Sequence, residues 1–251
     1  MKTGQLIVTV GVFFLMLAMI SRCSSSSNGS EDYAYQEEGL DKVIKQHMND
    51  QDYTVILADM NYEDPTYYHK YQVIVPLTDT TFDTQETEWL TVSPMFFESH
   101  KNALGMEVAS KTNGALEKNI APAGYSQYIG NEKYGRWRER DGGSFWEFYG
   151  KYAFMSNMFH LMTYPARYGY YNNYYNSYRG RGAYYGPNGY YGTSSFSSSN
   201  AGRNTTWGQK PQSFKERVNS RVSRSSKTQR SRNSSRYSKS STRSRSGGFG
   251  K

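Results

Sequence analysis

The sequence predicts an α+β protein. One small acidic domain with an antiparallel sheet and two or three helices follows an N-terminal signal or anchor helix and precedes a disordered basic tail. Three observations predict this. Residues 31–150 alternate helically spaced apolar positions with β-branched runs bounded by turn residues. The same stretch holds 21 acidic and 10 basic residues, whereas 151–251 hold 18 basic residues and one acid, Glu216. Such asymmetry sets an acidic folded part against a basic interaction arm. The start, finally, carries fifteen consecutive uncharged residues, Leu6–Ile20.

Residues 1–23 run from Lys2 through that uncharged stretch to Ser21, Arg22 and the single cysteine, Cys23. A bilayer core needs about 20 apolar residues in a helix. Fifteen is closer to the apolar run of a secretory signal. Ile20 and Ser21 fit a lipidation signal and make Cys23 the lipidation candidate. Arg22 departs from the small residue expected there and suits an uncleaved anchor whose arginine reaches the interface. A cleaved, secreted chain is the third alternative. Residues 24–37 form a tether, Ser-rich and then acidic. One cysteine leaves no internal disulfide framework.

Residues 38–125 make the acidic domain. Leu40, Val43, Ile44 and Met48 share one helical face. Tyr53–Asn61 and Tyr67–Pro76 predict two strands joined across Glu63-Asp64-Pro65. Leu77–Thr87 predicts a loop or an edge strand, and Trp89–Ser93 a third strand. Ser93-Pro94 then starts a helix through Met95–Asn102, because serine caps and proline fits the first helical position. Gly105–Lys111 predicts a further strand, closed by Asn113-Gly114.

Residues 126–165 form an aromatic junction. Arg136-Trp137-Arg138-Glu139-Arg140 interleaves tryptophan with arginine before the break at Asp141-Gly142-Gly143. Over 144–162, Phe145, Phe148, Tyr152, Met155, Phe159 and Met162 recur at steps of three and four, which predicts an amphipathic helix. That face either packs on the acidic domain, lies in a membrane interface or self-associates.

Residues 166–251 predict a disordered tail. Ten tyrosines alternate with Gly, Asn and Arg179-Gly180-Arg181-Gly182, almost without aliphatic residues. Pro211–Val222 predicts a short helix, and Ser223–Lys251 is rich in Ser, Arg and Lys. Arg179, Arg181, Arg221, Arg224, Arg230, Arg232, Arg236, Arg243 and Arg245 are the candidate residues for an anionic partner.

No recognisable catalytic or cofactor signature is present. His47, His69, His100 and His160 lack metal-ligand spacing, and no phosphate-cradling glycine loop or nucleophile elbow occurs. Asp59 and Glu88 are carboxylates that could pair across strands, a pairing that acidic residues often make by chance. The expectation is therefore no cofactor, no metal and no enzymatic activity.

Leu6–Cys23, the Ser-Phe-Trp-Glu-Phe-Tyr-Gly run at 144–150 and the Gly-Gly-Phe-Gly end give a layout that resembles small bacterial membrane-anchored proteins, often lipoproteins. The resemblance implies a location on the extracytoplasmic side of a bacterial envelope and no active residues. The expected function is a non-enzymatic tethered protein whose basic aromatic tail binds anionic lipid, cell-wall polymer or polysaccharide. Self-association through the tyrosines is a further expectation. The alternatives are a membrane-held nucleic-acid-binding protein, ranked below the envelope partners, and an enzyme with an unrecognised site in the acidic domain.

Overall fold

The computed structural model describes residues 37–237, and their architecture is α+β with an antiparallel sheet. Residues 1–36, including Cys23 and the stretch expected to be a signal or anchor, lie outside the described residues, as do Arg243 and Arg245.

Helix α1 (Gly39–Gln46) buries Leu40 and Val43, the face expected from their spacing. Strands β1 (Tyr53–Glu63) and β2 (Thr66–Pro76) form the central hairpin, pairing from Thr54↔Ile74 to Glu63↔Thr66. Strand β3 (Phe82–Glu86) realises the expected edge strand along Gln72–Pro76, and β4 (Leu90–Val92) continues the same edge of β2. Helix α2 (Pro94–His100) starts as expected: Ser93 Oγ accepts the N–H of Phe96 at 3.1 Å. Glu38 accepts from Ser93 N at 2.9 Å, so the start of α1 also fixes the start of α2.

Strand β5 (Met106–Thr112) lies on the other side of β1, and β6 (Ala115–Glu117) and β7 (Ala121–Pro122) share its outer edge. The order is β3-β2-β1-β5-β6. Strand β1 is buried on both faces, from Tyr53 to Tyr62 apart from Ala58. An antiparallel strand in that position needs cover on both sides of the sheet. The acidic domain alone does not supply it.

The rest of the cover comes from beyond residue 125. The expected helix over 144–162 does not form. Strands β8 (Gly135–Arg140) and β9 (Gly143–Phe148) make a separate two-stranded hairpin. Asp141 and Gly142 take φ of 51° and 76°, the left-handed pair that a tight two-residue hairpin loop requires. A 3₁₀ turn (Gly150–Tyr152) and helix α3 (Met155–Met158) follow. Five residues of the expected helical face still point inward or partly inward. Phe148, Tyr152, Met155 and Phe159 are buried and Phe145 is half-buried, whereas Met162 is 80% exposed. Packing against the sheet domain is thus the fate of most of that face, reached through a strand and short turns.

The expectation of a disordered tail is also corrected as far as residue 237. Helix α4 (Tyr168–Asn173) runs into a π turn (Tyr174–Tyr178). Tyr174, Tyr184 and Tyr191 are buried; the rings of Tyr174 and Tyr191 stand 5.6 and 5.8 Å from Tyr125, and Tyr184 stands 5.8 Å from Tyr174. Aromatic rings replace the missing aliphatic residues, and their hydroxyls find partners. Tyr125 and Tyr191 share a hydrogen bond at 2.7 Å, Tyr174 pairs with Ser126 at 3.0 Å, and Tyr184 donates to the Tyr170 carbonyl at 2.9 Å.

Three single turns follow: α5 (Thr193–Phe196), α6 (Asn200–Arg203) and α7 (Thr206–Gln209). Ser199 and Thr205 cap the last two, accepting from Gly202 N and Gly208 N at 3.0 and 2.9 Å. The chain ends its described course in α8 (Gln212–Tyr237), 26 residues where a short helix was expected. One hydrophobic cluster joins Leu40 of α1 to Val222 of α8.

Candidate anionic-partner surface

Helix α8 is long because nothing between Gln212 and Tyr237 breaks it; the stretch contains neither glycine nor proline. Its apolar content is small and narrowly placed. Phe214, Val218 and Val222 repeat every four residues, and Ser226 continues the line. Val218, Val222 and Ser226 are buried, against α2 among other neighbours. Trp207 fills the space between, with ring centroids 5.9 Å from Phe97 and 6.4 Å from Phe214. Ser223 Oγ donates to Glu98 Oε1 at 2.8 Å, which ties α8 to α2 by a polar contact as well.

The rest of the helix surface is basic, from the flank of the apolar line round to the far side. Arg217, Arg221, Arg224, Lys227 and Arg230 are all exposed. Of these, Arg221 is engaged: its Nη1 donates to Asp64 Oδ1 at 2.6 Å and to the Tyr62 hydroxyl at 2.5 Å. The Tyr62 hydroxyl and this guanidinium hold the Asp64 carboxyl below its ordinary range. A hollow of about 240 Å³ beside this pair is lined by Phe214, Arg217 and Val218. Arg217, Arg224, Lys227 and Arg230 make no ion pair among the described residues. Glu216 is the only acid on the helix.

The predicted arginines therefore separate into groups. Arg221, Arg224 and Arg230 share α8, and the backbone of Arg232 and Arg236 continues it. Arg179 and Arg181 belong to the end of the π turn instead. Arg179 sits over the Tyr175 ring at 5.2 Å and donates to the Ser126 carbonyl at 3.4 Å, and Arg181 donates to the Asn176 carbonyl at 3.1 Å. Among the described residues the two groups bond different partners: Arg179 and Arg181 bond Ser126 and Asn176, and Arg221 bonds Tyr62 and Asp64. Sequence reasoning missed Arg217 and Lys227, which the spacing along one uninterrupted helix would have added.

The other candidates have structural employment. Asp59 accepts three backbone N–H groups, from Met60, Thr206 and Trp207, and Glu88 is exposed. His69 is buried with Nδ1 3.0 Å from the Tyr71 hydroxyl, and burial pushes its pKa well below the usual value. Glu107 is wholly buried under residues 121–128; burial raises its carboxyl to about 7, partly offset by the Gly124 N–H at 3.1 Å. Among the described residues no group of three His, Cys, Asp or Glu side chains could hold a metal ion, and no helix is long and apolar enough to cross a membrane.

Comparison of the chain with known protein families, curated proteins and solved structures finds no match.

Proposed function

We propose that this is a non-enzymatic, membrane-tethered protein of the bacterial envelope, and that the outer face of α8 binds an anionic surface. One observation carries the reading. Helix α8 keeps its few apolar residues for the core and turns to solvent four cationic side chains, Arg217, Arg224, Lys227 and Arg230, that make no ion pair among the described residues. A row of unpaired charges on a rigid element attracts an extended polyanion or an anionic bilayer, because opposite charges meet without first breaking internal pairs. The uncharged run before Cys23 supports placing this face near a membrane.

The binding is electrostatic and weakens as salt shortens the screening length from about 30 Å at 0.01 M to about 8 Å at 0.15 M. The test replaces Arg217, Arg224, Lys227 and Arg230 together with glutamine in the full chain. Sedimentation with phosphatidylglycerol-containing vesicles and with cell-wall sacculi is then measured at low salt. Binding by the parent that the quadruple variant loses, with thermal unfolding unchanged, supports the reading; equal binding by both proteins refutes it.

A further inference from the structure

Helix α4 and the π turn that follows it carry a second surface, distinct from α8. Tyr168, Tyr171 and Tyr175 recur at steps of three and four; Tyr168 and Tyr175 face outward, Tyr171 is half-buried with its ring 5.6 Å from Tyr125, and Tyr174 goes into the core. Tyr168 is 48% exposed and Tyr175 is 51% exposed. Trp137 of β8, half-buried, fits between the first two, its ring centroid 5.2 Å from Tyr168 and 5.4 Å from Tyr171; Tyr175 stands 5.9 Å beyond. The result is a continuous row of four rings: Tyr168, Trp137, Tyr171, Tyr175. Rings so exposed on a folded helix are unusual for a core-forming segment, because burial is what stabilises them.

The polar groups beside the row narrow what fits it. Asn172 and Asn176 lie one turn apart along its flank, both exposed, and Asn176 Nδ2 donates to Asn172 Oδ1 at 2.9 Å. That bond fixes both amides and leaves the Asn172 Nδ2 and the Asn176 Oδ1 for an outside partner. Residues 168–178 contain no charged side chain. A phosphate-bearing strand would need unpaired cations along its path. Here exposed Arg167, over the Phe145 and Tyr170 rings, adjoins Tyr168 at one end; Arg179 and Arg181, at the other, donate to the Ser126 and Asn176 main-chain carbonyls; and Arg136 and Arg138, on either side of Trp137, pair with Glu147. Aromatic faces turned 82° and 45° from one another at Trp137, with neutral amide donors and acceptors along one flank, suit a twisted chain of rings that are apolar on the face and hydroxylated at the edge.

We propose that the row Tyr168–Trp137–Tyr171–Tyr175 is a binding platform for a polysaccharide chain, its hexose rings lying on the aromatic faces and its hydroxyls bonded by Asn172 and Asn176. The surface is separate from the basic face of α8, so either stands or falls alone.

The test uses the full chain and two soluble probes, a hexamer of N-acetylglucosamine and a hexamer of glucose, with a twelve-residue oligouridylate as the competing chemistry. Binding is followed by calorimetry and by tryptophan fluorescence, which reports on Trp137. Because Tyr168 and Tyr175 are half-exposed, Tyr168→Ala and Tyr175→Ala leave the core intact, which the unfolding temperature checks. The expected result is binding of at least one sugar hexamer, insensitive to salt, weakened about tenfold by each substitution. Which hexamer binds distinguishes an acetamido sugar chain from a plain glucan. Three results would overturn the proposal: neither hexamer binds, both variants bind them as tightly as the parent, or only the oligouridylate binds. Ring-dependent dimerisation without sugar binding would likewise assign the row to self-association.

Discussion

The backbone N–H of Trp207 donates to the Asp59 carboxylate at 3.0 Å, joining the central strand to a turn 148 residues later. The other carboxylate oxygen takes Thr206 N at 2.6 Å, and Met60 N adds a third bond at 2.7 Å. Asp59 thus serves as an acceptor at the start of α7, supplied by a distant strand. It holds Trp207 against Phe97 and sets where α8 begins.

Asp59→Ala is expected to lower stability by about 3 kcal/mol, since hydrogen bonds to charged groups contribute roughly 1.5–3 kcal/mol each and do not add fully. For a chain of this size the melting temperature would fall by roughly 6–12 °C. Asp59→Asn keeps an acceptor and should lose less. Thermal unfolding measures both; an unchanged melting temperature in Asp59→Ala would contradict the assignment.

Glu107 gives a pH dependence with a definite sign. Its folded-state carboxyl stands at about 7 against an ordinary 4.5, because burial disfavours the anion. The unfolded chain therefore gives up this proton first as pH rises. Stability is fully present below about pH 4.5 and is lost as pH climbs to about 7, by about 3 kcal/mol. His69 acts in the opposite sense: its depressed folded pKa removes stability as pH falls below the ordinary histidine value. Comparing Glu107→Gln with the parent isolates the glutamate. The variant should melt higher at pH 8 and equally at pH 4.5. A constant difference at both pH values would show that Glu107 does not titrate in this interval.

The sheet domain was legible because its signals are local. Tyr53–Asn61 and Tyr67–Pro76 are β-branched and apolar, and Ser93-Pro94 is a helix start whatever surrounds it. The junction misled because Phe145, Phe148 and Tyr152 satisfy a helical step by coincidence. The stronger signal was Asp141-Gly142 between Trp137 and Trp146, a two-residue hairpin loop read as a mere break. The tail misled for a different reason. Low aliphatic content predicts disorder when no partner surface exists, but tyrosines 174, 184 and 191 have one, the residues around Tyr125. That surface is made by tertiary contacts across more than 45 residues, which periodicity cannot see. On α8 the charges were legible and their arrangement was not. Only the burial of Val218, Val222 and Ser226 separates a bound side from a free one.

Residues beyond 165 belong to the core, and their removal tests that directly. Val218 and Val222 are 2% and 0% exposed, and Trp207 and Tyr191 are buried in the same cluster. A chain ending at residue 165 would leave both sides of this packing exposed, and β1 would lose part of its cover. The expected product keeps far-ultraviolet ellipticity but loses near-ultraviolet signal and binds hydrophobic dyes, the marks of lost side-chain packing. A chain ending after Tyr237 retains every described contact and should melt cooperatively. Point substitutions sharpen the contrast within α8. Val222→Ala removes two buried methyl groups and should cost about 2 kcal/mol. Arg224→Gln, two positions on and exposed, should change stability by less than about 0.5 kcal/mol. If the two variants unfolded at the same temperature, or if the chain ending at 165 kept its near-ultraviolet spectrum, α8 would be an appendage to the fold and not part of it.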